Sequence, residues 1–243
     1  LSAFFGLDDK LPDRAARICP VAPGRDGVVV NVADPLDPNR VDQADVVIIT
    51  ADGERRTPLC ASLLPAIEPG ERRTVLLIGD LGSAADPPQR VELPNGLPTA
   101  DPAARDRYRG ASFEPVTQLA DGPFLVIAER EVEPALAPAG DPDACPTGTP
   151  QVLRVAWAGG VTRVDGAPTT DADAAHYHVT VRSSDGATRE IAVVGIVDAN
   201  DGDNYHELCL PTADPALEVR VDPGSFVDPN GDPNPATHLT VAG

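Results

Sequence analysis

The 243-residue chain has no methionine, one lysine (Lys10) and one tryptophan (Trp157), and only 4% of its residues are aromatic. A core made from this material must rest on Val, Leu, Ile and Ala, since apolar residues still make up 42% of the chain. No stretch of the sequence approaches the roughly 20 apolar residues that span a bilayer as a helix, so direct membrane insertion is not expected. The 27 prolines exclude long uninterrupted helices, because an interior proline removes one hydrogen bond and collides with the preceding turn. Basic charge is also scarce, with 19 Lys and Arg against 38 Asp and Glu, for a formal net charge of -19. Such a surface repels phosphate backbones, so nucleic acid is not an expected partner; basic proteins and divalent cations are better candidates. Catalytic signatures are missing as well. There is no G-x-S-x-G elbow, H-E-x-x-H, P-loop or G-x-G-x-x-G, and the chain reads as non-enzymatic.

The chain does have β-branched residues, turn formers and four separated cysteines: Cys19, Cys60, Cys145 and Cys209. Without a C-x-x-C pair, a zinc ribbon or thioredoxin-type site is disfavoured. An even count in a Pro- and Gly-rich chain points to two disulfides and an oxidising compartment. Three connectivities are open. Cys19–Cys60 with Cys145–Cys209 is favoured because each bridge then braces one half. The expected location is exported: periplasmic, cell-surface or extracellular. The opening at Leu1 fits a processed form whose leader has been removed.

Strand signals recur at short intervals. They cover Gly27 to Val32, Asp45 to Thr50, Glu54 to Cys60, Thr74 to Ile78, Gln89 to Leu93 and Phe124 to Glu129 in the first half. In the second half they cover Gln151 to Ala156, His176 to Arg182, Glu190 to Val197, and alternating runs through Leu217–Val221 and Thr237–Val241. Leu11 to Ile18 suits one or two helical turns. Between the halves, Pro134, Pro138, Pro142, Pro146 and Pro150 mark a linker. This spacing predicts an all-β chain of two tandem immunoglobulin-like antiparallel β-sandwich domains. The expected boundaries are an N-terminal extension at 1–18, a sandwich at 19–132, a linker at 133–150 and a second sandwich at 151–243. A short echo links the halves: Ile49-Thr50-Ala51-Asp52-Gly53-Glu54-Arg55-Arg56 and Arg182-Ser183-Ser184-Asp185-Gly186-Ala187-Thr188-Arg189 both read as a strand, an Asp-Gly turn and a return strand carrying arginine.

The segment Asp34-Pro35-Leu36-Asp37-Pro38, followed by a strand and Ala51-Asp52-Gly53, resembles bacterial exported surface proteins with immunoglobulin-like domains. The resemblance spans about a third of the first half. It implies a scaffold or adhesive role and carries no site residues.

Two loops offer hard oxygen ligands of the kind Ca2+ takes, six to eight at a time. One comprises Asp198, Asn200, Asp201 and Asp203; the other comprises Asp228, Asn230, Asp232 and Asn234. Asp34, Asp37, Asn39 and Asp42 form a weaker third set. The same residue types are also ordinary turn formers. His176, His178 and His206 are an alternative set for a transition metal. Glu68, Glu71, Glu114 and Glu129 offer acid–base pairs for a hydrolase. Trp157 is expected in the core; a carbohydrate-binding module would need exposed aromatics. Residues 1–7, Leu1-Ser2-Ala3-Phe4-Phe5-Gly6-Leu7, are apolar enough to seat on a neighbouring copy as an added strand, giving an oligomer or filament.

Overall fold

The computed structural model describes residues 2–68, 70–104, 106–130, 145–197 and 203–243. The chain is all-β, and among the described residues helix is confined to short 3-10 turns. It divides into two compact units, Leu1–Asp121 and Gly122–Gly243. No helix among the described residues is long and apolar enough to cross a membrane.

Unit 1 contains eight strands: β1 Ser2–Leu7, β2 Asp26–Asn31, β3 Val47–Thr50, β4 Arg55–Arg56, β5 Cys60–Ser62, β6 Thr74–Gly79, β7 Pro88–Leu93 and β8 Ala111–Phe113. They form two antiparallel sheets, ordered β1-β2-β6-β5 and β4-β3-β7-β8. Inward residues of both sheets meet in one core. Ala3, Phe5, Val28, Val30, Val75 and Leu77 come from the first sheet; Ile48, Val91, Leu93 and Phe113 come from the second. The period-2 alternation of β-branched residues creates this arrangement, because every second side chain faces the opposite sheet.

Unit 2 repeats the plan with β9 Leu125–Arg130, β10 Gln151–Trp157, β11 Thr162–Arg163, β12 Tyr177–Arg182, β13 Thr188–Ala192, β14 Gly195–Val197, β15 Tyr205–Leu210, β16 Ala216–Val221, β17 Phe226–Val227 and β18 Thr237–Thr240. Its sheets run β14-β15-β10-β9 and β13-β12-β16-β18, with β11 and β17 as an additional pair. If that pair is set aside, each unit has the same order: first-second-sixth-fifth strand in one sheet, fourth-third-seventh-eighth in the other.

The likeness extends to single hydrogen bonds. In unit 1 the Thr117 amide donates to the Ala3 carbonyl at 2.9 Å, and the Thr117 carbonyl accepts from the Phe5 amide at 2.9 Å. In unit 2 Ala242 donates to the Ala128 carbonyl at 2.9 Å and accepts from the Arg130 amide at 3.1 Å. Each first strand thus pairs antiparallel with the second strand and bridges in parallel to the segment after the eighth. The echoed hairpins are equivalent too. Thr50 and Ser183 donate to the carbonyls of Glu54 and Ala187, and Gly53 and Gly186 donate back to the carbonyls of Thr50 and Ser183. Both glycines have positive φ, 82° and 87°, which the closing position of such a turn requires.

Several boundaries differ from the sequence reading. The expected N-terminal extension contains the first strand of unit 1: Ala3, Phe4 and Phe5 are fully buried, so their apolarity serves the chain's own core. The division falls between Asp121 and Gly122, and the strand expected to close the first domain instead opens unit 2 as β9. Most of the expected linker, residues 133–144, lies outside the described residues. Glu190 to Val197 is not one strand. The chain changes sheets between Ala192 and Gly195, so β13 and β14 have different partners. The adjacent Val193 and Val194 break the alternation, one buried and one 55% exposed.

Both disulfides pair as favoured, Cys19–Cys60 and Cys145–Cys209. Each ties the connection between the first two strands to the β6–β5 or β15–β14 side of the first sheet. Cys19 and Cys60 lie in a small cluster with Leu11, Ala15, Ala22 and Ile78, separate from the main core. Cys209 lies between the core residues Leu208 and Leu210 and so faces the other side of its sheet. Two such bridges are typical of exported proteins.

Two outcomes are expected. Phe5→Ala should destabilise unit 1 by about 3–5 kcal/mol, read by chemical denaturation, because it empties a fully buried site shared by both sheets. Cys145→Ala/Cys209→Ala should cost unit 2 about 2–4 kcal/mol by releasing a long loop in the unfolded chain; an unchanged denaturation midpoint would count against that bracing role.

Candidate functional site

The Asp228–Asn234 loop joins β17 to β18. Its oxygen atoms are largely used by its own backbone. The buried Asp228 Oδ1 accepts from the amides of Asn230 and Asp232, both at 2.9 Å, and Oδ2 accepts from Asn230 Nδ2 at 3.3 Å. Burial pushes the Asp228 carboxyl above its ordinary range, against the lowering effect of these donors. Asn234 Oδ1 accepts from the Phe226 amide at 2.9 Å, while its Nδ2 donates to the carbonyls of Asp222 and Pro235, each at 2.9 Å. Asp228 and Asn234 therefore act as turn formers that pin β17 to the following segment. Of the other expected calcium loop, Asp198, Asn200 and Asp201 lie outside the described residues. Asp203 Oδ1 accepts from the Tyr205 amide at 2.7 Å, which shapes the entry to β15.

In the third set two members are likewise local. Asp37 and Asp42 accept from the amides of Asn39 and Ala44 two residues on. Asp34 takes the Tyr108 hydroxyl at 2.6 Å. Burial, with that bond, pushes the Tyr108 phenol up to about 12.

The carboxylates that do converge belong to Asp8, Asp9 and Asp26, the one group of three or more His, Cys, Asp or Glu with ligand atoms within 4.8 Å of each other among the described residues. Strand register causes this. Leu7 pairs with Gly27, so the residues leaving β1 sit beside the residue entering β2. Asp26 is buried and accepts from the amides of Asp9 at 2.9 Å, Leu81 at 2.6 Å and Gly82 at 3.2 Å. Asp8 accepts from the Ala84 amide at 3.0 Å. Burial outweighs the three amide donors and raises the Asp26 carboxyl above its usual range. The three carboxylates are hard ligands, and two of them, Asp8 and Asp26, also fasten the segment after β6. Once β1 is recognised as a strand, this cluster can be read from the Asp8-Asp9 pair and the Asp26-Gly27 step.

The histidines separate. His206 lies in the core of unit 2, whereas His178 projects from the opposite face of β12, with Nδ1 3.2 Å from Glu190 and Nε2 3.1 Å from Asp222. His178, with Arg220, holds the Asp222 carboxyl below its usual range. His176 ends a 3-10 turn, and its ring packs edge-on against Phe226. The expected transition-metal set is corrected on that ground: His178 and His206 stand on strands of different sheets, one outside and one inside the core, and His176 precedes the strand altogether.

No acid–base pair forms among the glutamates singled out. Arg90 holds Glu92 at 3.0 Å and Glu114 at 3.4 Å beside a shallow cleft of about 310 Å³. Glu129 lies in register with Arg154, which pairs with Glu207 at 2.6 Å. Glu71 is buried and Glu68 exposed. Trp157 is fully buried against Tyr177 and Phe226. Apart from the half-buried Phe124, every other aromatic residue is buried, so no exposed platform for sugar stacking is present.

Asn234→Ala should destabilise unit 2 by about 1–3 kcal/mol, because it strips the Phe226 amide of its buried acceptor. The loss should be the same with and without EDTA; a calcium-dependent loss would return the loop to the metal reading. No protein-family model matches the chain, and comparison with curated proteins also gives no match.

Proposed function

We propose that this chain is an exported, non-enzymatic structural or interaction protein built from two tandem immunoglobulin-like sandwiches. The observation that carries the reading is the shared strand order. With strands lettered in sequence, both units read A-B-E-D in one sheet and C′-C-F-G in the other, the arrangement of immunoglobulin-like sandwiches. Each unit departs from the antibody pattern. Its disulfide braces the first sheet instead of joining the two sheets, and Trp157 lies on the second strand. The two disulfides support a periplasmic, cell-surface or extracellular setting.

Its partner in this reading is another protein or another copy of the chain. Association through residues 1–7 would proceed by exchange of β1 between copies, because Phe4 and Phe5 fill their own unit. Ca2+ belongs to the same reading as a stiffener of acidic turns. Asp8, Asp9 and Asp26 fit it better than the Asp228 loop, because three carboxylates converge there within 4.8 Å. The ion would cancel repulsion among the three carboxylates and hold the β1–β2 entry.

Elemental analysis with thermal melts before and after EDTA, alongside sedimentation velocity at rising concentration, tests the proposal. Bound calcium, a melting point lowered by EDTA, and loss of both effects in Asp8→Asn/Asp9→Asn are expected. Stoichiometric zinc or copper, or turnover of a glycoside substrate, would sink the non-enzymatic reading. A melt unmoved by EDTA removes calcium alone.

A further inference from the structure

In the core of unit 2, four side chains form a single line of hydrogen bonds. Trp157 Nε1 lies 3.1 Å from the Tyr177 hydroxyl, which lies 2.7 Å from His206 Nδ1; His206 Nε2 lies 3.2 Å from Thr169 Oγ1. All four residues are buried. Indole Nε1 only donates, so the Tyr177 oxygen accepts from it, and the Tyr177 hydroxyl proton has an acceptor within the line only if it is given to His206 Nδ1. The ring is then the neutral tautomer with its proton on Nε2, and that proton is donated to Thr169 Oγ1.

We propose that His206 is an acid-sensitive latch, holding the connection between β10 and β12 to the core while its ring is neutral and releasing it when the ring gains a proton. A proton added at Nδ1 makes that atom a donor. Tyr177 must then accept from both Trp157 and His206, and its own hydroxyl proton is left buried without the acceptor it had. A cation is also placed among Trp157, Tyr177 and Phe226. The bond from Nε2 to Thr169 survives the added proton, so relief comes from hydrating the ring: the segment carrying Thr169 lies against it, and the departure of that segment admits water to the cation and to the Tyr177 hydroxyl.

The surroundings are consistent with this. From β10 and β17 the ring meets Trp157 and Phe226, which do not titrate. From β12 it meets Tyr177, whose phenol burial raises well beyond the physiological range. Among the described residues, the carboxylate felt by the ring is Asp173, in the 3-10 turn Asp171–His176. That charge is already engaged, by the amide and hydroxyl of Thr170 at 2.8 and 2.9 Å and by Arg163 at 3.5 Å. Burial prevails over Asp173 and lowers the His206 imidazole to about 4. The open state, with an ordinary imidazole, takes the proton from about pH 6.5 downward, while the latched state resists it until about 4. Opening is therefore favoured as pH falls across that window and levels off below it.

The test is amide hydrogen exchange on the intact chain between pH 7 and 4, corrected for intrinsic rates, with His206 followed by NMR. In the wild type the opening constant of amides within 161–176 should rise about tenfold per pH unit below 6.5, while strands of unit 1 stay unchanged. In His206→Gln, which can accept from Tyr177 and donate to Thr169 but cannot gain a proton, the rise should vanish. Equal profiles in the two proteins overturn the proposal. If the variant does not fold, the wild type decides: a His206 ring that titrates near 6.5 with protection of 161–176 intact overturns it, and exchange that rises as His206 protonates upholds it.

Discussion

Each sandwich is closed by its first strand, which bonds to both sheets at once. Main-chain bonds from Thr117 to Ala3 and Phe5, and from Ala242 to Ala128 and Arg130, join the last segment of one sheet to the first strand of the other. Two stacked sheets made mostly of Val, Leu and Ala have few large side chains to lock them in register. The main-chain clasp supplies that lock and brings Phe5 and Ala3 inward on one side of the same strand. The disulfides act on the same sheet from the opposite face. A chain short of aromatics thus relies on directional bonds and covalent ties where others rely on bulk.

The two cores handle polar groups differently. In unit 1 the buried Asp26 carboxylate fastens the segment after β6, as Asp228 shapes its own loop in unit 2, and the half-buried Asp34 anchors the Tyr108 hydroxyl. In unit 2 a neutral side-chain line runs through the middle of the core, and its aromatic members supply most of the large buried rings. Such a line is stable only while every donor has its acceptor, which makes unit 2 the more selective of the two about its proton balance.

Much of the architecture was legible in the sequence. Tyr177, Val179 and Val181 alternate cleanly because one face of β12 is buried and the other is wet, and the Asp-Gly turns mark equivalent hairpins. The reading failed where a strand is buried on both faces. In β15 Leu208, Cys209 and Leu210 are all buried, so no alternation shows. It failed again at β1, whose apolar residues look like a loose end until their partner across the sheet is known. The Asp228 loop has a related limit: Asp228 and Asn234 accept from backbone amides near the turn, and sequence does not reveal which oxygens remain for a cation. The converging Asp8, Asp9 and Asp26 come from two strand ends well apart in the chain, and only pairing register brings them together.

The parallel clasp also determines how the molecule bears tension. In unit 2 the entering strand β9 and the departing residue Ala242 lie side by side and point the same way. A pull along the chain therefore loads their bonds together in shear instead of peeling them one by one. Should the clasp fail, the Cys145–Cys209 bridge still withholds the intervening chain, a separation of 64 residues, from extension. At about 3.3–3.6 Å per residue that is roughly 210–230 Å of slack never released.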